Sequence, residues 1–508
     1  DPNDLSEAVH VSQIGYRADD PIKQAFLSVW LGTGGAYRYP DGLRFRVVDD
    51  KTAEQVYEGR VVLSKEASES EKITPPRNHS QTSVYRMDFS DLQKPGRYRV
   101  VVDKVGSSVP FEIGANPWKG VFAVQMKGLY NHRSGVQLGP PHTTFRQPRD
   151  MHPADGQEVW QSTWSVLDKA EAFEELATHA TREAVPQGWG GYHDAGDWNP
   201  RRVTHLRVAM AHLELLDLFP AFHGKLAWNL PAATFTRNGR EVPVKGSLPD
   251  TLNEALWGLE IHRRLQKPNG SVTNGIESPG DPIDGEVSWL QSMPLYVYAP
   301  DVWSSYVYAG AAARFARLVQ RYSPELSRIY QASALKAMDW AEADWAKRDR
   351  SKLRSEATDD RNLAAVELLR LTKDRKWHAV FLENTVLNDP SKRLFAYRVN
   401  NQRDAAFAYT QLPASLSDPT IRRNAVAKIR EDADGALEYA KGNGFGILQQ
   451  DHDRPIILGY YSVPDAVQVC RAHLLTGERK YLAGAVQATQ FAGGANPMNM
   501  THTTGVGS

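Results

Sequence analysis

The stretch GANPWKG, Gly114 to Gly120, separates two parts of the chain that have different periodicities. Before it, short runs rich in Val, Phe, Tyr and Ile alternate with turn residues such as Pro95-Gly96, a pattern typical of a β-sandwich. After it, apolar residues recur at the spacing of amphipathic helices. The sequence therefore predicts an all-β domain over residues 1–115 and an all-α domain over residues 116–508.

Six runs in the first part predict strands: 10–16, 24–30, 44–49, 83–89, 96–103 and 109–114. Eight segments in the second part predict helices: 118–133, 202–219, 304–322, 331–345, 361–372, 422–441, 464–477 and 482–494. Hardly any strand is expected between these helices. Since no fixed-period repeat is present, a solenoid is disfavoured, and stacked helical hairpins or a barrel of paired helices is favoured.

The composition limits the classes of partner. Sixty basic residues balance sixty acidic ones, so the chain lacks the basic footprint that nucleic acid or an anionic membrane requires. No apolar run approaches the ~20 residues that span a bilayer. The single cysteine, Cys470, excludes an internal disulfide framework and any zinc site with several cysteines.

The stretch GGYHDAGDWNPRR, residues 190–202, places Asp194 and Asp197 three positions apart among glycines and aromatic residues. Crowded carboxylates shift each other's pKa, which serves a hydrolytic site in which one carboxylate deprotonates water. The alternative is an Asx-type turn before a helix that begins near Arg202, with Asp197 or Asn199 as its N-cap. The residues alone favour neither interpretation.

GGYHDAGDWNP resembles the base motif of glycoside hydrolase family 9, the endoglucanase family. Two later stretches resemble this family in the same order: residues 296–318, and residues 481–507 with a G-x-N-P turn at Gly494 to Pro497. The β-sandwich that starts with HVSQIGY is similar to the immunoglobulin-like (Ig-like) domain of a subgroup. The resemblance covers essentially the whole chain and implies an (α/α)6 barrel with an open cleft after an Ig-like domain.

The resemblance also implies a function. An inverting hydrolase of this family would cleave β-1,4-linked glucan in cellulose, mixed-linkage glucan or xyloglucan, with Asp197 as the general base and Asp194 holding the same water. His193 would donate to a sugar hydroxyl or pack beside Trp198. Family membership implies a secreted or periplasmic protein, although the chain shows no signal peptide.

Aromatic residues of the loops are candidates for stacking on glucosyl units. Trp289, Trp303 and Tyr306 lie in or beside a connection rich in Pro and Gly, and Trp198 follows the aspartate pair. The alternative is that each anchors a loop in a satellite core. At least one is expected to face the cleft. The sandwich shows no aromatic strip, so it is expected to support the helical domain without binding substrate.

No cofactor is predicted to be required. His132, His142 and His152 fall at ten-residue intervals, near the place where some family members bind zinc through cysteines and histidines. Here Ser134 and Met151 stand at positions where cysteines could lie, so zinc is not expected. Calcium occurs in the family, but no ligands are assigned. Asp359 and Asp360 are predicted to form the N-cap and first turn of the helix over 361–372.

The family's general acid is a glutamate well downstream of the G-x-N-P turn, so it is expected beyond Ser508, together with the last helices of the barrel. Glu254 shows the letters N-E but lies in an early helix and does not match. Two alternatives stay open. One is an exo-β-glucosaminidase of the same family, because His193 of YHDAGD stands where the family's typical cellulases carry an aromatic residue. The other is a non-catalytic glycan-binding protein.

Overall fold

The computed structural model describes residues 3–72, 76–167, 173–194, 198, 201–349, 355–449 and 464–507. Contacts within the chain divide it into two compact units. The first unit comprises residues 1–125 and 423–508, and the second comprises residues 126–422.

A sandwich of short strands occupies the first 114 residues of the first unit. Each predicted strand run contributes to it, and its strands are β1 (Val9–His10), β2 (Tyr16–Arg17), β3 (Gln24–Leu27), β4 (Arg44–Asp49), β5 (Gln55–Lys65), β6 (Val84–Asp88), β7 (Gly96–Val102), β8 (Gly106–Ser107) and β9 (Phe111–Gly114). They pair in the order β1-β3-β6-β5-β4-β7-β9-β2, with β8 on β7. The eleven-residue β5 pairs with β4 along one part and β6 along another, and so joins the two layers.

Every second side chain of the strands points into the core of the sandwich and fills it. Phe45 and Val47 of β4 and Tyr98 and Val100 of β7 are buried two residues apart, as one face of a strand requires. Gly15, before β2, has φ +107°, and a Cβ atom there would lie 2.3 Å from the carbonyl oxygen of Glu112. Only glycine fits this turn.

Thirteen helices lie in the described ranges, and each of the eight predicted segments overlaps one. They are α1 (Lys119–Asn131), α2 (Phe173–Thr178), α3 (Leu206–Leu218), α4 (Pro220–His223), α5 (Asp250–Leu265), α6 (Val302–Val319), α7 (Pro324–Trp345), α8 (Ser355–Thr372), α9 (Lys376–Asn384), α10 (Arg403–Thr410), α11 (Pro419–Lys441), α12 (Val467–Thr476) and α13 (Arg479–Ala492). None of these helices combines the length and the hydropathy needed to cross a membrane.

The almost fully buried α6 organises the second unit, where it packs against α3, α5, α7 and α8. Asp301 caps it by accepting a hydrogen bond from the Ser304 amide at 2.7 Å. Gly310 lies against α8, because a Cβ atom there would be 3.3 Å from the Cα of Ala364. Small residues on α6 thus permit close contact between the two helices.

The prediction that the helical region has hardly any strands is wrong. A five-stranded sheet lies among its loops, in the order β11 (Ala180–Ala184), β10 (Val159–Ser162), β16 (Leu295–Val297), β15 (Gly275–Glu277) and β12 (Arg201–Arg202). Two hairpins, β13 (Thr234–Arg237) with β14 (Arg240–Pro243) and β17 (Phe395–Ala396) with β18 (Asn400–Asn401), add to it. Strands of two to five residues are too short to show a clear alternation.

The predicted start of α8 is also wrong. The helix already begins at Ser355, so Asp359 and Asp360 lie in its second turn and not at its N-cap. Asp359 is buried and accepts a hydrogen bond from the Asn401 amide at 2.6 Å. Its carboxylate therefore connects α8 to the β17–β18 hairpin.

Candidate active site

The segment that leads into the aspartate pair is held on its backbone from two sides. The carbonyl oxygen of Gly191 accepts from the Ser134 amide and from the Trp257 ring Nε1, both at 2.9 Å. The His193 amide donates to the carbonyl oxygen of His132 at 2.8 Å. Residues 132–134 therefore pair with residues 191–193 like a short antiparallel ladder, and α5 fixes the same segment through Trp257.

A buried ionic cluster lies under this segment. Glu254 of α5 is fully buried, and Arg133 binds it with two nitrogens at 3.1 and 2.9 Å. Tyr192 donates its hydroxyl proton to Glu254 Oε1 at 2.7 Å. Burial and the negative charge of Glu254 hold the pKa of Tyr192 well above its ordinary value, so the hydroxyl stays a donor. Glu254 therefore connects α5 to the segment before Asp194 and is not placed for acid catalysis.

His193 lies against a second buried carboxylate. Its Nε2 is 2.7 Å from Asp150 Oδ2, and 12% of its side chain is exposed. Asp150 also accepts from the Gly135 amide at 2.7 Å and from Gln147 Nε2 at 3.0 Å. Burial raises the pKa of Asp150, but the contact with His193 and the Gly135 hydrogen bond outweigh burial, and the pKa lies below its ordinary value. His193 thus contacts a protein carboxylate, which neither predicted role included.

Of the aspartate pair, Asp194 lies on this segment and half of its side chain, 50%, is exposed. His205 Nε2, just before α3, is 3.7 Å from Asp194 Oδ2. Asp197 lies outside the described residues. Trp198 has φ +26° and packs against the buried cluster around Ile276 and Leu295, and its ring Nε1 has no hydrogen-bond partner within the described part of the chain.

Strand β12 follows the aspartate motif in the sequence, and its Arg202 contacts two further polar side chains. Arg202 donates from Nη2 to Glu277 Oε2 of β15 and to the Tyr298 hydroxyl, both at 3.3 Å. Glu277 is buried, so Arg202 compensates its charge. Sequence reasoning missed Asp150 and Glu277 and set Glu254 aside, because each lies far along the chain from the motif.

The three candidate stacking residues of the later connection have different environments. Trp289 is 41% exposed. Trp303 and Tyr306 belong to α6 and are buried. Trp303 donates from Nε1 to Asp360 Oδ2 at 2.8 Å, and Tyr306 donates to Glu342 Oε1 at 2.7 Å. Their polar atoms therefore bind protein carboxylates.

Trp289 lines a cavity of about 360 Å³ in the second unit. Its lining is mainly polar and includes Arg149, His152, Glu158 and Ser288. The cavity adjoins the site segment, because Asp150, the partner of His193, lies between lining residues Arg149 and Met151. An exposed aromatic ring among hydrogen-bonding groups suits a ligand with one apolar face and many hydroxyls.

Two of the histidines considered for zinc contact other groups of the protein. His142 Nδ1 contacts the carbonyl oxygen of Asn229 at 2.9 Å, whereas the His152 ring packs at a tilt of 42° against Trp189 with ring centres 4.5 Å apart. Burial lowers the pKa of His152 to about 4. The hydroxyl of Ser134 does not replace a thiolate, and Met151 belongs to an apolar cluster. No group of three or more His, Cys, Asp or Glu in the described ranges is arranged to hold a metal.

Comparison with known proteins decides the family. Residues 4–107 match the family model of the cellulase N-terminal Ig-like domain, and residues 118–508 match that of glycosyl hydrolase family 9. The chain belongs to glycosyl hydrolase family 9. The predicted family resemblance, the Ig-like domain and the helical family 9 region are thereby confirmed. The sixfold arrangement of helix pairs stays a prediction.

The similar family 9 proteins are distant relatives. Endoglucanase D of Acetivibrio thermocellus is 22% identical over 85% of this chain and 66% of its own length. Endoglucanase C of Cellulomonas fimi is 22% identical over 88% of this chain and 41% of its own length. A crystal structure of a metagenome-derived family 9 endoglucanase has a TM-score of 0.75 at 25% identity, over 98% of this chain and 85% of that one. The chain spans less than two thirds of endoglucanases D and C.

Proposed function

We propose that this family 9 protein hydrolyses β-1,4-glucosidic bonds of a β-glucan, as a cellulase-type glycoside hydrolase that inverts the anomeric centre. The observation that carries the proposal is the half-exposed Asp194 at the end of a segment held by Trp257, Ser134 and His132. The anchored segment positions Asp194, the first aspartate of the D-A-G-D run in a family 9 chain, and glycoside hydrolysis needs a carboxylate positioned in this way.

In the proposed reaction Asp197 accepts a proton from a water molecule while Asp194 holds the same water. The water oxygen bonds to the anomeric carbon as the glycosidic C–O bond breaks, and an acid protonates the leaving oxygen. The acid is not assigned to a residue of this sequence. Since Arg202 is already bound to Glu277, we assign it the role of fixing β12 after the loop.

The proposal also covers the substrate, the location and the cofactors of the enzyme. Its substrate would be the glucan of cellulose, mixed-linkage glucan or xyloglucan, and its location secreted or periplasmic, because the named relatives include endoglucanases. No cofactor takes part in the proposed steps. A structural calcium ion is left without assigned ligands.

The test of the proposal is Asp197→Asn in the full-length protein. We expect its turnover of cello-oligosaccharides to fall below a few per cent of the original rate while ligand still binds, because the base is lost and the shape is kept. Asp41→Asn in the sandwich, 88% exposed, is the matched control and should keep the full rate.

Proton NMR of the first products should show the α-anomer. A β-anomer first would contradict inversion, and more than a few per cent of residual rate would contradict the role of Asp197. Faster cleavage of chitosan oligomers than of cello-oligosaccharides would favour the glucosaminidase. Binding without turnover in the wild-type protein would favour the non-catalytic alternative.

A further inference from the structure

A large cavity lies in the first unit. Its volume is about 750 Å³. The sandwich contributes residues around β1 and β3, including His10 and Trp30, and the end of the chain contributes residues 497–500. Gln13 fixes these two walls together, because its Nε2 donates to the carbonyl oxygen of Asn499 at 2.6 Å.

The rim of this cavity is unusually apolar for a surface. Trp30 is 62% exposed, and Leu5, Met498 and Met500 are also among the large apolar side chains that remain exposed. All four line the cavity. Scattered apolar side chains are normal on a protein surface, but several that meet around one concavity mark a place where a ligand binds.

The described residues that line the cavity are almost uncharged. Glu7 is the one ionised side chain among the described residues that line it, and no lysine or arginine is among them. Burial lowers the pKa of His10 to about 4, so its ring is neutral at neutral pH. Ser6, Gln13 and Ser80 add hydroxyl and amide groups. A lining without cations suits neither phosphate nor another anion.

Asn499 is one of the residues that line this cavity. Its side-chain Oδ1 is buried and has no hydrogen-bond partner within the described residues. A buried acceptor without a donor costs about 1–3 kcal/mol, and a ligand hydroxyl would satisfy it. A saccharide combines such hydroxyls with an apolar ring face that stacks on tryptophan.

We infer that this cavity is a saccharide site, at which Trp30 stacks on a glucosyl unit while Asn499 and Glu7 accept hydrogen bonds from its hydroxyls. The choice of a β-glucan as the saccharide rests on the proposed function. None of the described residues that line this cavity belongs to the aspartate motif, so the site holds the polymer and takes no part in bond cleavage. The sandwich, expected from sequence to lack a binding role, acquires one.

The test compares Trp30→Ala with Leu31→Ala in the full-length protein. Leu31 is the adjacent residue, 48% exposed, and does not line the cavity. We expect Trp30→Ala to weaken retention on swollen cellulose by about tenfold, with an unchanged kcat on cellotetraose. Leu31→Ala should leave both values unchanged. Trp289→Ala, in the cavity of the second unit, should raise the KM for cellotetraose instead.

Other outcomes distinguish the two proposals. If the wild-type protein cleaves glucan and Trp30→Ala is retained on cellulose as well as wild type, the saccharide site is refuted and the proposed function stands. If the wild type neither cleaves nor binds β-glucan, the proposed function itself fails. If Trp30→Ala converts a dimer into a monomer without changing retention, the rim contacts a second copy of the chain and the saccharide site is again refuted.

Discussion

Tyr192→Phe tests whether the buried cluster under the site segment positions Asp194. The substitution removes one hydroxyl and keeps the ring, so Glu254 Oε1 loses the 2.7 Å hydrogen bond but retains Arg133 Nε at 3.1 Å. A hydrogen bond to a charged acceptor contributes about 1.5–3 kcal/mol. We take about 2 kcal/mol as the loss, because the partly compensated carboxylate stays buried.

Amide hydrogen exchange measures this loss at the segment itself. The Ser134 amide donates to Gly191 and the His193 amide donates to His132, so both report local opening. A loss of about 2 kcal/mol corresponds to about 30-fold faster exchange at these two amides. We also expect kcat to fall about tenfold with an unchanged KM, because Asp194 is displaced while substrate contacts remain.

Tyr308→Phe is the matched control for this prediction. Tyr308 is equally buried, but its hydroxyl contacts the neutral Ser333 Oγ at 2.7 Å. Its removal should cost about 1 kcal/mol of stability without changing kcat or the exchange of the two amides. If Tyr192→Phe leaves both exchange rates and kcat at their wild-type values, the cluster does not position the segment and the argument is refuted.

Two further predictions concern buried carboxylates of the helical unit. Glu367→Gln should lower the free energy of unfolding by about 3–5 kcal/mol in urea titrations, because Arg314 at 2.9 Å and Arg370 at 3.1 Å would lose their buried countercharge. Asp359→Asn should remove a pH dependence of the free energy of unfolding. Burial raises the folded-state pKa of Asp359 to about 7, above its unfolded-state value. The carboxyl group therefore stabilises the fold below about pH 4, and this stabilisation is lost as the pH rises towards 7. The Asn401 amide can still donate to an asparagine oxygen. At pH 8 the free energy of unfolding of the variant should therefore exceed that of the wild type by on the order of 2 kcal/mol.

Each of these predictions has its own control. Glu383→Gln removes a carboxylate that is 49% exposed and 2.9 Å from Arg361, so it should cost less than about 1 kcal/mol. If Glu367→Gln lowers the free energy of unfolding by no more than Glu383→Gln does, burial of the carboxylate does not determine the loss. For Asp359→Asn, the difference in urea midpoint from wild type is measured at pH 4 and pH 8. A difference that does not change with pH would show that Asp359 does not titrate in this range.

The secondary structure of most of this chain follows from local patterns. Period-two runs such as 96–103 and helical runs such as 422–441 bury mainly one face, and that requirement depends on residues a few positions apart. The aspartate motif is equally local, so the family could be inferred from its residues. The short strands β12 and β15 were missed because two or three residues carry no period.

The partners of the site residues could not be inferred in this way. Glu254 is 62 positions from Tyr192, and nothing in its helix distinguishes it from a solvated glutamate. Asp150 precedes His193 by more than forty residues and follows an ordinary polar loop. Such contacts depend on which elements become neighbours, and that is decided by the packing of the whole unit.

The sequence by itself thus determined the division into a β-sandwich and a mainly helical region, the family and the position of the aspartate pair in the chain, because these depend on residues a few positions apart. The tertiary structure decided that Trp303 and Tyr306 lie inside while Trp30 and Trp289 remain exposed. An aromatic residue has the same chemistry in a core and on a binding surface. Which of the two it occupies depends on the surfaces that distant segments leave uncovered when they pack.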